Sequence, residues 1–225
     1  MLDNNKNIIL VGGGGFALEI YSYITDDKTF NIKGVLDESE DCEICAKHPE
    51  LNYLGNIEDY NVSQNDFGLI CVGSSMGRRS INSLLLKINL PLYTFIHSTA
   101  HIASNAVIGD GVFIGPHCIV SAHSFISENV ALNVYCGVGH GARIGKNSVM
   151  SPYSVINGDC SLGEAVFLGS RVTLNPKIDI GDFSLIDAGS IIRQNISSFS
   201  IVSQRVEQKI FDNRILRKEL SEKND

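Results

Sequence analysis

From Ile102 to Ile192 every sixth residue is apolar, without a break. The row runs through Ile108, Ile114, Val120, Ile126, Leu132, Val138, Ile144 and Met150, then Ile156, Leu162, Leu168, Leu174, Ile180 and Ile186. Four residues after each stands a small or β-branched residue in most cases, such as Val112, Cys118, Ser124, Cys136, Ala142, Ser148, Ser154 and Cys160. A helix repeats about every 3.6 residues and a strand about every 2, so neither explains a period of six. A repeat of this length predicts a β-solenoid, where each coil has little core of its own and stability comes from stacking. The first position should point inward onto its equivalent in the next coil. The small fifth position should also point inward, near a corner. The second position is mostly Gly, Ser or Asn, as at Gly109, Gly115, Asn133, Gly139 and Gly145. That choice predicts that the second position carries the unusual backbone angles of a tight turn.

The first 95 residues follow other periods. Ile8 to Val11 is a short apolar strand, followed by Gly12-Gly13-Gly14-Gly15 and by helical spacing from Phe16 to Ile24. A second strand, Ile32 to Leu36, ends in Asp37-Glu38, and a third, Phe67 to Val72, ends in Gly73-Ser74-Ser75 before a helix around Arg78 to Ile88. Strand, Gly-rich turn, helix, strand and acid make half of a Rossmann-type unit. Backbone N–H groups at such a helix start bind phosphate, and an acid at the end of the next strand reaches a ribose hydroxyl. The short length favours a mononucleotide handle over a full dinucleotide fold. Arg78 and Arg79 read as solvated helix residues. Pro91 to Ile96 reads as an extended link. The period of six fails after Asn195, and about 204 to 220 again has helical spacing, with Val206, Ile210, Phe211, Ile215 and Leu216. A helix there would cover the open end of the solenoid.

Charge and cysteines narrow the class. The formal net charge of −7 leaves no basic footprint for nucleic acid. No apolar run approaches the roughly 20 residues that cross a bilayer, and the N-terminus lacks a signal pattern, so a cytoplasmic protein is expected. Cys118, Cys136 and Cys160 fall on the fifth position and should stack inside as small hydrophobes. Cys42-x-x-Cys45 is a lone pair in an acidic loop, short of the four ligands of structural zinc, so no metal is assigned.

The chain resembles the hexapeptide-repeat acyltransferases, whose fold is a left-handed parallel β-helix with three hexads per coil. The combination with a small α/β unit is similar to the bacterial sugar acyltransferases that N-acetylate nucleotide-linked 4-amino-sugars, and to their sialic-acid O-acetyltransferase relatives. The matching segments are Val11 to Ala17, Val35-Leu36-Asp37-Glu38, Cys71 to Ser75, Phe95-Ile96-His97-Ser98 and Gly139-His140-Gly141-Ala142-Arg143-Ile144-Gly145. The resemblance implies a Rossmann-like nucleotide-sugar domain (1–95), a left-handed β-helix acyltransferase domain (96–197) and a C-terminal helical cap (198–225). It implies a homotrimer using acetyl-CoA on a nucleotide-linked amino-sugar, for surface glycan synthesis. It places the nucleotide sugar on Gly14, Gly15, Phe16, Asp37, Glu38 and Gly73, and acetyl-CoA near Ser170 and Ala188.

Acetyl transfer to an amine needs a base near neutral pH, which an imidazole provides. Of six histidines, His140 lies between glycines in the solenoid, and the resemblance selects it as the catalytic base. His117 and His123 occupy fourth positions. The chain departs from the family where an acid usually follows the catalytic His: that position is Gly141. A second family His aligns with Val149, and Ile201 to Gln204 replaces the usual C-terminal segment. An orienting group such as Asp110 or Glu128 would then have to come from a neighbouring coil or subunit. O-acetylation of a sialic-acid-like sugar, and a non-catalytic nucleotide-sugar-binding role, stay open at this point.

Overall fold

Ile8 to Val11 are buried throughout, which places β1 (Asn7–Val11) at the centre of a sheet. The computed structural model describes residues 6–25 and 31–204. Strand β1 pairs in parallel with β2 (Asn31–Leu36) on one side and β3 (Asp66–Ile70) on the other. Helix α1 (Gly15–Thr25) follows β1 and buries Ala17, Ile20 and Ile24. A short α2 (Glu43–Lys47) follows β2. Helix α3 (Ser75–Lys87) follows β3 and starts at Ser74, whose Oγ accepts from the Gly77 N–H at 3.2 Å. That cap satisfies one of the free N–H groups of the first turn.

From Phe95–Ile96 to Ile201–Val202 the chain winds into two-residue strands in three parallel sheets of seven, six and five strands. This is a parallel left-handed-type β-solenoid of about six turns. Register gives the coil length directly: Ala131 pairs with Val149, Gly137 with Val155 and Arg143 with Ser161, so equivalent residues are 18 apart. The first-position residues form one continuous core from Ile114 to Ile192. Cys118, Cys136 and Cys160 are buried at the corners as expected.

The second-position expectation is corrected. Positive φ falls on the fourth position of the hexad, from Gly111 and His117 through Asn129, Tyr135, Gly141 and Asp159 to Gly189. The second-position glycines serve coil stacking instead. A Cβ at Gly139 would lie 2.5 Å from the carbonyl carbon of Asn157, and one at Gly109 would lie 2.8 Å from the Glu128 nitrogen. Polar fifth-position side chains have a second role. Ser148 and Ser154 donate to the carbonyls of Gly163 and Gly169, and Cys160 to that of Asn175, each 15 residues on. After Asn195 the period breaks but the ladder goes on. Ile196 bridges Ile180 and Val202 pairs with Ile186, a four-residue step replacing one hexad. The helix expected after about residue 204 lies outside the described residues.

The α/β unit packs on the seven-stranded face. Phe95, Phe113, Ala131 and Val149 point outward there yet are at most 3% exposed, against 54% for Ile119 and 52% for Val107 on the other two faces. Phe113 lies edge-on to Phe16 of α1 and stacks on Phe95. Burying each large side chain contributes about 1.5–3 kcal/mol, so the two halves share one core. Arg78 is not solvated: it is fully buried and donates to the carbonyls of Ile70 (2.8 Å), Asn129 (3.0 Å), Val72 (3.3 Å) and Gly111 (3.5 Å). Asn129 answers by donating to the Arg78 carbonyl. A guanidinium with five donors in a rigid fork is suited to gathering carbonyls from both halves.

Candidate functional site

The six-stranded face is open. Its outward row is His101, Ile119, Gly137, Val155, Thr173 and Ile191. Gly137 contributes no side chain, which leaves a groove of about 390 Å³ over Ile119 and Val155. Tyr135 and His117 line one edge, Gly139 and Asn157 the other.

His140 stands beside that second edge. Its side chain is 72% exposed, and its Nδ1 lies 3.9 Å from Oδ1 of Asp159. The Asp159 N–H donates to the His140 carbonyl at 2.8 Å, locking the two coils. The ring lies over Gly158, where a Cβ would collide with Nε2. A Cβ on Gly141, at φ +67°, would collide with Oδ1 of Asp159. Sequence reading missed Asp159; the 18-residue coil, which places 159 directly over 141, is the signal that finds it. Asp110 and Glu128 are not the orienting group within this chain. They line a separate cleft with Phe67, Asn82 and Leu90, beneath α3.

Four of the other five histidines have local partners, and His101 stands at the end of the open face. His117 stacks on Tyr135 at 4.8 Å, Tyr135 on Tyr153 at 4.9 Å, and Arg171 lies over Tyr153. His123 meets the Asn105 amide at 3.2 Å. His97 meets Thr99 Oγ1 at 2.8 Å, and His48 meets Glu50 at 3.0 Å. These contacts hold the rings to their own corners and loops, whereas His140 faces solvent beside a groove.

In the α/β unit, Gly14, Gly15, Phe16 and Gly73 gather at the ends of β1 and β3. Phe16 packs on Gly73, and the space beside Gly14 is open. Asp37 is committed to the backbone: its Oδ2 accepts from the Gly13 N–H at 2.7 Å and its Oδ1 from the Ser39 N–H at 3.1 Å. It therefore shapes the Gly-rich turn. Asp37 and Glu38 line a cleft of about 280 Å³ with Asn56, Glu58, Asp59 and Leu84. Cys42 packs directly on Gly13, and burial pushes the Cys45 thiol up to about 12, beyond the reach of neutral-pH thiolate chemistry. Among the described residues no cluster of three or more His, Cys, Asp or Glu has metal-binding geometry. Ser170 and Ala188 share one corner on successive coils, with the Gly189 N–H donating to the Ser170 carbonyl. That corner flanks the open face on the side away from His140.

No family profile matches the sequence, and no curated protein matches it. Solved structures do match. The acetyltransferase domain of PglB from Neisseria gonorrhoeae FA1090 superposes with a TM-score of 0.77 at 20% identity, covering 85% of this chain and 93% of that one. A variant of perosamine N-acetyltransferase from Caulobacter crescentus, in complex with CoA and GDP-perosamine, gives 0.78 at 18% identity over 87% and 92%. WeeI from Acinetobacter baumannii AYE gives 0.76 at 17% identity over 88% and 97%. The chain thus has the fold of the β-solenoid sugar N-acetyltransferases. The likeness spans the α/β unit and the solenoid together. Among the described residues no helix is long and apolar enough to cross a membrane.

Proposed function

We propose that the protein is an acetyl-CoA-dependent N-acetyltransferase acting on a nucleotide-linked amino-sugar, with His140 as general base. The observation that carries this is His140 itself: an exposed imidazole beside an apolar groove, on a fold whose solved examples include complexes with acetyl coenzyme A and with CoA and GDP-perosamine. The reading extends to a cytoplasmic homotrimer working in surface glycan synthesis. The α/β unit is Rossmann-like in this reading and holds the nucleotide at Gly14, Gly15, Phe16 and Gly73. Glu38 faces its ribose or base, and Asp37 supports the turn.

The groove fits an extended, mostly apolar chain with a reactive end near His140. Acetyl-CoA supplies the acyl group as a thioester. As the sugar nitrogen forms the amide bond, His140 takes the proton that the nitrogen sheds, and it can return that proton to the departing thiolate. Ser170 and Ala188 flank the same open face from its other corner. A second copy packed along the apolar row of Ile119, Val155 and Ile191 would place its own corner beside the first copy's His140.

Thiol release from acetyl-CoA, measured with a panel of nucleotide amino-sugars, tests the reading. Wild type should turn over at least one, giving an alkali-stable amide by mass spectrometry; an alkali-labile ester would instead establish O-acetylation. His140→Ala should lower kcat by roughly 10² to 10⁴ with KM little changed, because the base acts in the transition state. His117→Ala and His123→Ala should cost far less. No thiol release with any acceptor would leave only the binding role.

A further inference from the structure

We propose that Asp159 is the positioning residue for His140, and that Gly141 and Gly158 are the two gaps that let their side chains meet. The inference rests on the reading of His140 as the base and adds the group that orients it.

The register carries the argument. Coils repeat every 18 residues, so Asp159 lies directly over Gly141 and Gly158 over His140. The backbone bond from the Asp159 N–H to the His140 carbonyl fixes the two coils at 2.8 Å. From that anchor Asp159 projects at a left-handed corner, φ +60°, with its Oδ1 3.9 Å from Nδ1 of His140. A small side-chain rotation closes this to the roughly 2.7–3.2 Å of a hydrogen bond. Both gaps favour the contact, because a Cβ at either position would displace the facing side chain. A side chain at 141 would collide with the Asp159 carboxylate, and one at 158 would collide with the imidazole. An acid at 141 and an acid at 159 therefore compete for one space, and this chain fills it from the upper coil. Among the described residues the Asp159 carboxylate accepts no hydrogen bond, which leaves it available to the ring.

The chemistry follows from the geometry. A carboxylate at Nδ1 accepts its N–H, fixes the tautomer and turns the Nε2 lone pair outward. It also stabilises the imidazolium formed when Nε2 takes a proton. Both side chains stand in water in the free protein, where such a pair is weak. A bound substrate that excludes water strengthens it.

The test uses the full chain with acetyl-CoA and an accepted amino-sugar. Asp159→Asn should lower kcat by about 10- to 100-fold with KM nearly unchanged and an unaltered melting curve. Asp159→Glu should recover part of the loss. Gly141→Ala removes no charge but pushes the carboxylate aside, and should lower kcat in the same sense. A second readout does not depend on turnover: with CoA added, the ring ¹⁵N shifts of His140 should show the Nδ1–H tautomer in wild type and a mixture in Asp159→Asn. Wild-type kcat in Asp159→Asn, or ¹⁵N shifts unchanged by that substitution, would overturn the proposal. Failure of acetyl transfer itself would appear separately, as absence of thiol release in wild type, while the ¹⁵N comparison still decides whether the two side chains pair.

Discussion

Asp66 is 1% exposed and takes hydrogen bonds from Lys33 Nζ (2.8 Å), Tyr60 OH (2.6 Å), the Ser63 N–H (2.9 Å) and Asn7 Nδ2 (3.0 Å). Burial opposes its charge, but the bonds from Lys33, Tyr60, Ser63 and Asn7 outweigh that and hold the carboxyl down at about 2. A carboxyl lowered in the folded state stabilises above its unfolded value of about 3.9, and that contribution is lost as pH falls toward 2. Calorimetric melting of wild type should therefore show Tm falling between about pH 4 and pH 2. Asp66→Asn should melt lower at pH 7 and lose less over the acid range. Parallel profiles for the two proteins would contradict the assignment. The same reasoning at one residue explains Arg78: removing it would strand carbonyls from both halves, at a cost of about 1–3 kcal/mol for each buried group left unpaired.

Within the hexad, identical residues do different work by position. Gly139 lies where the next coil presses on it, while Gly189 sits at a left-handed corner with open space around its would-be side chain. Gly139→Ala should cost about 1–3 kcal/mol from overpacking, since neither coil backbone can retreat without breaking its ladder. Gly189→Ala should cost about 1–2 kcal/mol from backbone strain alone. Adding one further heavy atom, the hydroxyl oxygen of Ser, should worsen the first and leave the second nearly unchanged. Urea unfolding of the four variants checks this; equal sensitivity at both sites would show that stacking is not what the second position serves. The fourth position tolerates His, Asn, Tyr, Asp, Lys, Arg and Phe at positive φ. The solenoid holds these corners open, and that is where His117, Tyr135 and Asp159 are displayed.

For the whole molecule, one face is covered by the α/β unit and another leaves Ile119, Val155 and Ile191 at 54%, 36% and 43% exposed. In the proposed assembly this apolar row is the surface that a second copy covers. Light scattering of wild type should give three times the chain mass, as expected for a closed cyclic assembly. Ile191→Arg, which lies outside the groove, should shift the population toward monomer. A monomer for wild type at micromolar concentration would remove the shared-site reading. If acetyl transfer needs two copies, turnover in Ile191→Arg should fall with dilution more steeply than in wild type.

The solenoid was legible because its code is local and repeated. A residue at the first position meets the same surroundings in every coil, so the period alone places Ile114, Leu132 and Met150 in the core. The strands β1 to β3 and the helices α1 and α3 were readable from local patterns too, whereas the short α2 lay in a stretch read as an acidic loop. His140 was singled out by its place between glycines together with the resemblance, and its role is part of the proposal. What the tertiary structure decided came from contacts across coils or between halves. Positive φ at the fourth position, Arg78 buried against the carbonyls of Gly111 and Asn129, 33 and 51 residues away, and the four-residue step at Ile196 all depend on neighbours distant in sequence. Asp37 turned inward to its own Gly-rich turn for the same reason. So did the pairing of His140 with Asp159: nineteen residues apart along the chain, they become neighbours only because the coil closes every 18. A sequence pattern specifies what a residue must be when its environment recurs. Where the environment occurs once, only the folded chain shows which side chains meet.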